Sequence, residues 1–167
     1  FLKVWARFVR RMDPNHLIGS GFSAPRPAAQ HLRKAQGKGD WTEDSEQEME
    51  TYLHDTHPDP IDLISIHFYR KHDNLRFGNE DEDSAQVLEV FKRAADRIGK
   101  SLYIGETGDD YSQRPDAPFL RNVLQRCRML EIPLVLVWNW MSPGDPYDVN
   151  PQRTPQVVQT MREANKR

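Results

Sequence analysis

Lys100-Ser-Leu-Tyr-Ile-Gly-Glu-Thr-Gly108 is the stretch whose reading decides the fold. It reads as a short strand, apolar on both faces, that closes in one carboxylate, Glu106. A helical pattern runs before it from Ser84 to Ile98, with Val87, Leu88, Phe91, Ala94, Ala95 and Ile98 on one stripe. Another follows from Ala117 to Leu130, with Phe119, Leu120, Val123, Leu124, Cys127 and Leu130 on one side. A strand between two helices is the repeating unit of a parallel sheet, whose functional groups collect at the carboxyl ends of the strands. Glu106 lies at such an end.

Working outward, Ile61-Asp-Leu-Ile-Ser-Ile-His-Phe-Tyr69 is a second strand. Its period of two sends Ser65, His67 and Tyr69 to one face and Ile64, Ile66 and Phe68 to the other. The apolar face is expected to carry helices, and the polar face to line something. On the other side, Ile132-Pro-Leu-Val-Leu-Val-Trp-Asn-Trp140 is an apolar run of the kind found in parallel sheets covered on both faces. Trp138 and Trp140 share one parity. His16 to Gly21 reads as a further short strand with glycines suited to close backbone packing.

The connecting segments are equally legible. Phe1 to Met12 is an amphipathic helix with Phe1, Trp5, Phe8, Val9 and Met12 on one side, stopped by Asp13-Pro14. Phe22 to Asp40 reads as a long loop, and Ser45 to His54 as a helix with Met49, Tyr52 and Leu53 as its apolar side. Asp83 or Ser84 is expected to cap the next helix, and Gly99 to end it. Thr154-Pro155 opens the last helix, whose stripe is Val157, Val158, Met161 and Ala164. The sum is an α/β chain, a helix followed by four strand–helix units. Four parallel strands fit a small open sheet or half of an eight-stranded barrel.

The 167 residues are 37% hydrophobic and 29% charged, enough for one domain with a real core. With 23 basic against 25 acidic residues the net charge is −2, which provides no bulk attraction to nucleic acid or an anionic membrane. The basic loop around Arg33, Lys34 and Lys38 lacks interleaved aromatics, so no nucleic-acid partner is expected. No apolar run approaches the roughly 20 residues of a membrane span. Cys127 sits on an apolar stripe as a small core residue. His54, His57, His67 and His72 show no ligand spacing, so neither a metal nor a cofactor is expected. Gly19-Ser-Gly-Phe-Ser23 is out of register for a nucleophile elbow and too short for a phosphate loop. Phe1 opens the chain inside a helix with no initiator Met or signal layout, so a fragment of a longer protein is expected.

His-x-Tyr on one strand, Gly-Glu closing the next and Trp closing the third form an ordered set. That order resembles the carboxyl-terminal half of retaining glycoside hydrolases with a (β/α)8 barrel, family 5 cellulases and mannanases in particular. The resemblance covers nearly the whole chain. It implies the C-terminal half of a TIM barrel, a single partial domain over residues 1–167 that lacks the first four strands. It implies that Glu106 is the catalytic nucleophile, Tyr69 the hydroxyl that hydrogen-bonds it, and His67 the histidine beside it. Trp138 becomes the aromatic floor of the sugar site, with Trp140 as a second platform. A double displacement on a β-linked poly- or oligosaccharide follows, since a carboxylate can stabilise the oxocarbenium-like state and trap it as an ester. A tyrosine donating to that carboxylate favours the ionised form, and a Trp face covers the apolar side of a sugar ring.

The family's general acid/base sits in an Asn-Glu pair closing the fourth strand, which would lie before Phe1. Asn79-Glu80 lies instead in the acidic loop Gly78 to Asp83 and reads as solvated. The chain alone is therefore expected to be inactive, and to form a homodimer or pair with a complementing half-barrel, because its outer strands would leave open edges. The resemblance is compatible with a secreted or periplasmic address. Two other readings stand beside it: a non-catalytic carbohydrate-binding relative of the barrel, and an unrelated open-sheet α/β domain.

Overall fold

The computed structural model describes residues 1–36, 38–70 and 74–166. Nine elements follow in order: α1 (Leu2–Met12), α2 (Ala29–Lys34), α3 (Glu46–Thr56), β1 (Leu63–His67), α4 (Val87–Ile98), β2 (Ser101–Thr107), α5 (Pro118–Met129), β3 (Val135–Val137) and α6 (Pro155–Ala164). The strands form one parallel sheet in the order β1-β2-β3. His72, among the histidines weighed for a metal, lies outside the described residues.

Ile64, Ile66 and Phe68 turn to the helical side, as their parity predicts, and join Leu102 and Ile104 of β2. Met49 and Leu53 of α3, Leu88 and Phe91 of α4, and Phe119, Val123 and Cys127 of α5 complete this core. Burial without a polar partner pushes the Cys127 thiol up to about 12. Val157 and Val158 of α6 pack with Tyr111, Leu120 and Val149 in a second cluster. A glycine ends α4 as expected, with Gly99 at φ +77° in the left-handed region.

Four expectations change. The sheet has three strands among the described residues, not four. The segment His16 to Gly21 reaches it through a single parallel bridge, Gly19 to Leu63. Ile18 N donates to Asp62 Oδ2 at 2.7 Å instead of entering a ladder, and Gly21 at φ +69° bends the chain out of the extended region. The long loop after it contains a helix, α2. Its Ala-Gln-His-Leu-Arg-Lys run has good helix formers, and the Asp44 carboxylate accepts from the N–H groups of Gln30 and His31 at 2.7 and 3.1 Å.

Neither Asp83 nor Ser84 caps α4. The helix begins at Val87, and Asp83 is held by two arginines instead. In α1, Trp5 and Val9 pack inward around Ala6, Ile18 and Ile61, while Phe1, Phe8 and Met12 remain exposed. The apolar face expected of α1 is thus divided between the core and the surface.

The feature that places the site is a bulge in β2. Ser65 pairs with Tyr103 and Ile66 with Ile104, but His67 pairs with Glu106. The same irregularity separates Ile104↔Val135 from Thr107↔Val137 on the β3 side. One extra residue flips every later side chain to the other face of the sheet. Glu106 thereby leaves the helical face it would share with Leu102 and Ile104. It arrives on the face of Ser65 and His67.

Candidate active site

Three residues singled out from the sequence meet at this bulge. The Tyr69 hydroxyl donates to Glu106 Oε2 at 3.0 Å. His67 Nδ1 lies 3.2 Å from the same oxygen. The strands hold this pairing through the backbone, since Phe68 N donates to the Glu106 carbonyl at 2.8 Å. Among the described residues no hydrogen bond reaches Glu106 Oε1. One oxygen of the carboxylate is anchored and the other faces the open side. Burial and the hydrogen bond to Glu106 raise the pKa of Tyr69 well above that of a free phenol, so it remains a donor throughout the ordinary pH range.

The backbone that allows this arrangement needs two glycines. A Cβ on Gly105 would lie 2.5 Å from Ser65 Oγ and 3.3 Å from the His67 ring. A Cβ on Gly108 would lie 2.8 Å from the Trp138 carbonyl and 2.9 Å from the Tyr147 ring. Both are closer than a side-chain carbon can stand.

Trp138 is fixed beside Glu106 through the main chain, with its N–H donating to the Thr107 carbonyl at 2.8 Å. Its side chain is 44% exposed, and that of Trp140 is 60% exposed. Trp140 sits further out, bridged to Val149 in the loop before α6. The structure therefore joins Tyr69, His67 and Glu106 directly, sets Trp138 on the adjoining strand end, and keeps Trp140 on the rim.

Two neighbours escaped sequence reading. Tyr147 packs edge-on against Tyr69, with ring centroids 5.7 Å apart at 82°. Ser23 Oγ lies 3.3 Å from His67 Nδ1. Ser23 also borders a cavity of about 360 Å³ between the segment before α2 and the end of α3. Both contacts span large distances along the chain, so no local pattern announces them.

A charge lattice braces the strand ends from behind. Asp83 accepts from Arg70 Nε at 2.9 Å and from Arg114 at 2.7 Å. Arg70 also pairs with Glu82 at 2.8 Å, and Arg114 lies 3.4 Å from Asp109. Arg114 holds the Asp83 carboxyl below the usual range, whereas burial raises that of Asp109. Arg70 directly follows Tyr69, so the lattice ties down the chain just beyond β1, which ends at His67. Asn79 uses its amide on the carbonyls of Asn74 and Asp81, at 2.7 and 3.0 Å. This is a loop-closing role.

Among the described residues one cluster brings together three side chains able to ligate a metal: His31, Asp44 and Glu48. His31 Nδ1 is 2.7 Å from Asp44 and Nε2 is 3.5 Å from Glu48. The carboxylates thus face opposite ring nitrogens, and Lys34 shares Glu48 at 3.4 Å. The arrangement clamps α2 to α3 and raises the His31 pKa, chiefly through the Asp44 hydrogen bond. His57 is buried, with Nε2 2.9 Å from Ser20 Oγ and Nδ1 2.9 Å from the Leu53 carbonyl. None of the described helices is long and apolar enough to cross a membrane.

No protein-family model and no curated protein matches this sequence. Solved structures do match. The endo-β-1,4-mannanase of Thermotoga petrophila shares 16% identity at a TM-score of 0.60, over 96% of this chain and 37% of that one. A second structure of a hyperthermostable endo-1,4-β-D-mannanase from Thermotoga petrophila RKU-1, with maltose and glycerol, shares 17% identity at 0.57, over 96% and 49%. The endo-1,4-β-mannanase of Rhizomucor miehei shares 16% identity at 0.54, over 96% and 44%. The chain has the fold of part of these β/α barrels and spans less than half the length of each.

Proposed function

We propose that this chain is the carboxyl-terminal half of a retaining β-glycanase barrel and carries its nucleophile. The observation that supports this best is the convergence of Tyr69 and His67 on one oxygen of Glu106, with the other oxygen left open. The Glu106 side chain is 30% exposed, so the second oxygen is within reach of a ligand from solvent. A nucleophile needs one lone pair unspent.

In the proposed reaction Glu106 Oε1 attacks the anomeric carbon of a β-linked sugar. The C–O bond to the leaving group breaks as the new ester bond forms, and the leaving oxygen takes a proton from a general acid on another segment. Water then attacks the same carbon, giving up a proton to that group, and releases Glu106 as a carboxylate. Tyr69 and His67 hold the carboxylate in place through both steps. Trp138 offers its exposed face to the apolar side of the ring. The general acid contributes roughly 10²–10⁴-fold, so this half by itself is inactive or nearly so on ordinary substrates. The side of β3 turned away from the helices carries Leu134 and Leu136, both nearly half exposed. A complementing half-barrel, or a second copy, would cover them.

The test is covalent labelling of the full-length protein. A dinitrophenyl 2-deoxy-2-fluoro-β-glycoside of mannobiose or cellobiose carries a leaving group that needs no acid. Peptide mapping should place the sugar on Glu106. Label on another carboxylate would remove Glu106 from this role. Sugar binding with no label at all would favour a carbohydrate-binding relative, a reading the two exposed tryptophans also fit.

A further inference from the structure

We propose that Ser23 is a substrate-contacting residue that donates its hydroxyl hydrogen to a hydroxyl of the sugar held at Glu106. The inference rests on the reading of Glu106 as the nucleophile. It follows from counting hydrogens at the site.

A ring nitrogen that turned its lone pair toward a carboxylate oxygen would be repelled, so His67 Nδ1, 3.2 Å from Glu106 Oε2, is the nitrogen that carries the hydrogen. The same nitrogen faces Ser23 Oγ at 3.3 Å. That hydrogen lies toward the serine oxygen, and Ser23 is the acceptor. This also separates the trio from a Ser-His-acid relay, in which the serine and the acid occupy different ring nitrogens. The Ser23 hydrogen is left unspent, and no other acceptor for it occurs among the described residues.

Tyr69 has committed its hydrogen to Glu106, and His67 has committed its Nδ1 hydrogen to Ser23 Oγ. Neither of those hydrogens is available to read a sugar hydroxyl. Ser23 stands two hydrogen-bond lengths from Glu106, exposed, with a free donor.

Its backbone is held on both sides. Phe22 packs edge-on against the buried His57 ring at 5.6 Å, and the Pro25 carbonyl accepts from the buried Arg76 at 2.8 Å. A donor held this firmly loses little entropy when it binds.

The experiment measures binding of thio-linked mannobiose and cellobiose, which resist hydrolysis, by titration calorimetry. Wild type, Ser23→Ala and Ser23→Thr are compared in the full-length protein. The better-bound sugar is then replaced by its mono-deoxy analogues. Ser23→Ala should weaken the parent sugar about fivefold, the worth of one neutral hydrogen bond, and Ser23→Thr should stay within about twofold of wild type. One mono-deoxy analogue should bind wild type and Ser23→Ala alike, because it lacks the hydroxyl that Ser23 reads.

Equal affinity of wild type and Ser23→Ala for the parent overturns the proposal. So does an equal loss across every analogue, which would mark the serine as a prop for the fold. The labelling experiment on wild type separates the two readings. Absent label on Glu106 sinks the nucleophile and this inference with it. Label on Glu106 with an indifferent Ser23 sinks this inference alone. A wild type that binds neither sugar overturns this inference, and the nucleophile as well where the label is also absent.

Discussion

The corner where β1 meets β2 and the corner where β3 leaves the sheet are built in opposite ways. At the first, side chains do the positioning: Tyr69 hydrogen-bonds one oxygen of Glu106, His67 stands 3.2 Å from the same oxygen, and a bulge aims it. At the second, the backbone does it. Trp138 N is tied to Thr107, Asn139 N to the Tyr147 carbonyl and Val149 N to the Asn139 carbonyl, while the two indole faces stay open. A charge that must attack one carbon needs its direction fixed by hydrogen bonds. A surface that covers a sugar ring needs only to be flat, apolar and uncovered.

The contrast can be broken first at the charge. Glu106→Gln should reduce labelling by the fluoroglycoside to background, read by intact mass, with the melting curve little changed. Tyr69→Phe removes one hydrogen bond to a charged group, worth about 1.5–3 kcal/mol, so labelling should slow roughly 10–100-fold. The two variants together would show whether Tyr69 acts through Glu106. In Glu106→Gln, adding Tyr69→Phe should change sugar affinity by less than about twofold.

Gly105→Ala tests the bulge. Its Cβ would enter the space of Ser65 Oγ, 2.5 Å away. Overpacking of this kind costs about 2 kcal/mol, or roughly 6 °C in Tm for a chain of this size, and calorimetry should record it. An unchanged Tm would mean that the bulge yields freely. At the open corner, Trp138→Ala should weaken sugar binding about tenfold and leave Tm within about 2 °C, because the ring is already 44% exposed.

The smallest expected effect is on pH. Burial lowers the His57 pKa below its ordinary 6.5, so the unfolded chain takes up its proton first as pH falls. Stability from a neutral His57 is complete above about pH 6.5 and declines below it. His31 works the other way: Asp44 raises its pKa, so its contribution is present below 6.5 and fades as pH rises through the folded value. Melting temperatures across pH 5 to 8 should fall less steeply on the acid side for His57→Gln than for wild type. The same slope in both would show that the fold leaves the His57 pKa unshifted.

Part of this site was open to sequence reading. Ser65, His67 and Tyr69 alternate with Ile64, Ile66 and Phe68, and a strand's period of two needs no tertiary information. Gly99 and the stripes of α4 and α5 obey local rules and appear where expected. Other features resisted. Asp83 looks like a cap and is claimed by Arg70 and Arg114, because two cations outcompete the N–H groups of a helix end. The strand expected at His16 to Gly21 shrinks to one bridge, because Asp62 takes the Ile18 N–H.

The sequence by itself determined that strands and helices alternate, which side chains face the helices, and that a carboxylate, a histidine and a tyrosine lie at strand ends. These are short-range properties, set by periodicity and by what apolar side chains do in water. The family resemblance leads to the expectation that the three meet, and only the tertiary structure decided how. The parity of β2 taken alone sends Glu106 toward the helices with Leu102 and Ile104. The extra residue at Gly105 reverses that, and a bulge is defined by its register with β1 and β3. Ser23 and Tyr147 complete the site for the same reason: their contacts are made by packing between segments far apart in the chain, where no local period reaches.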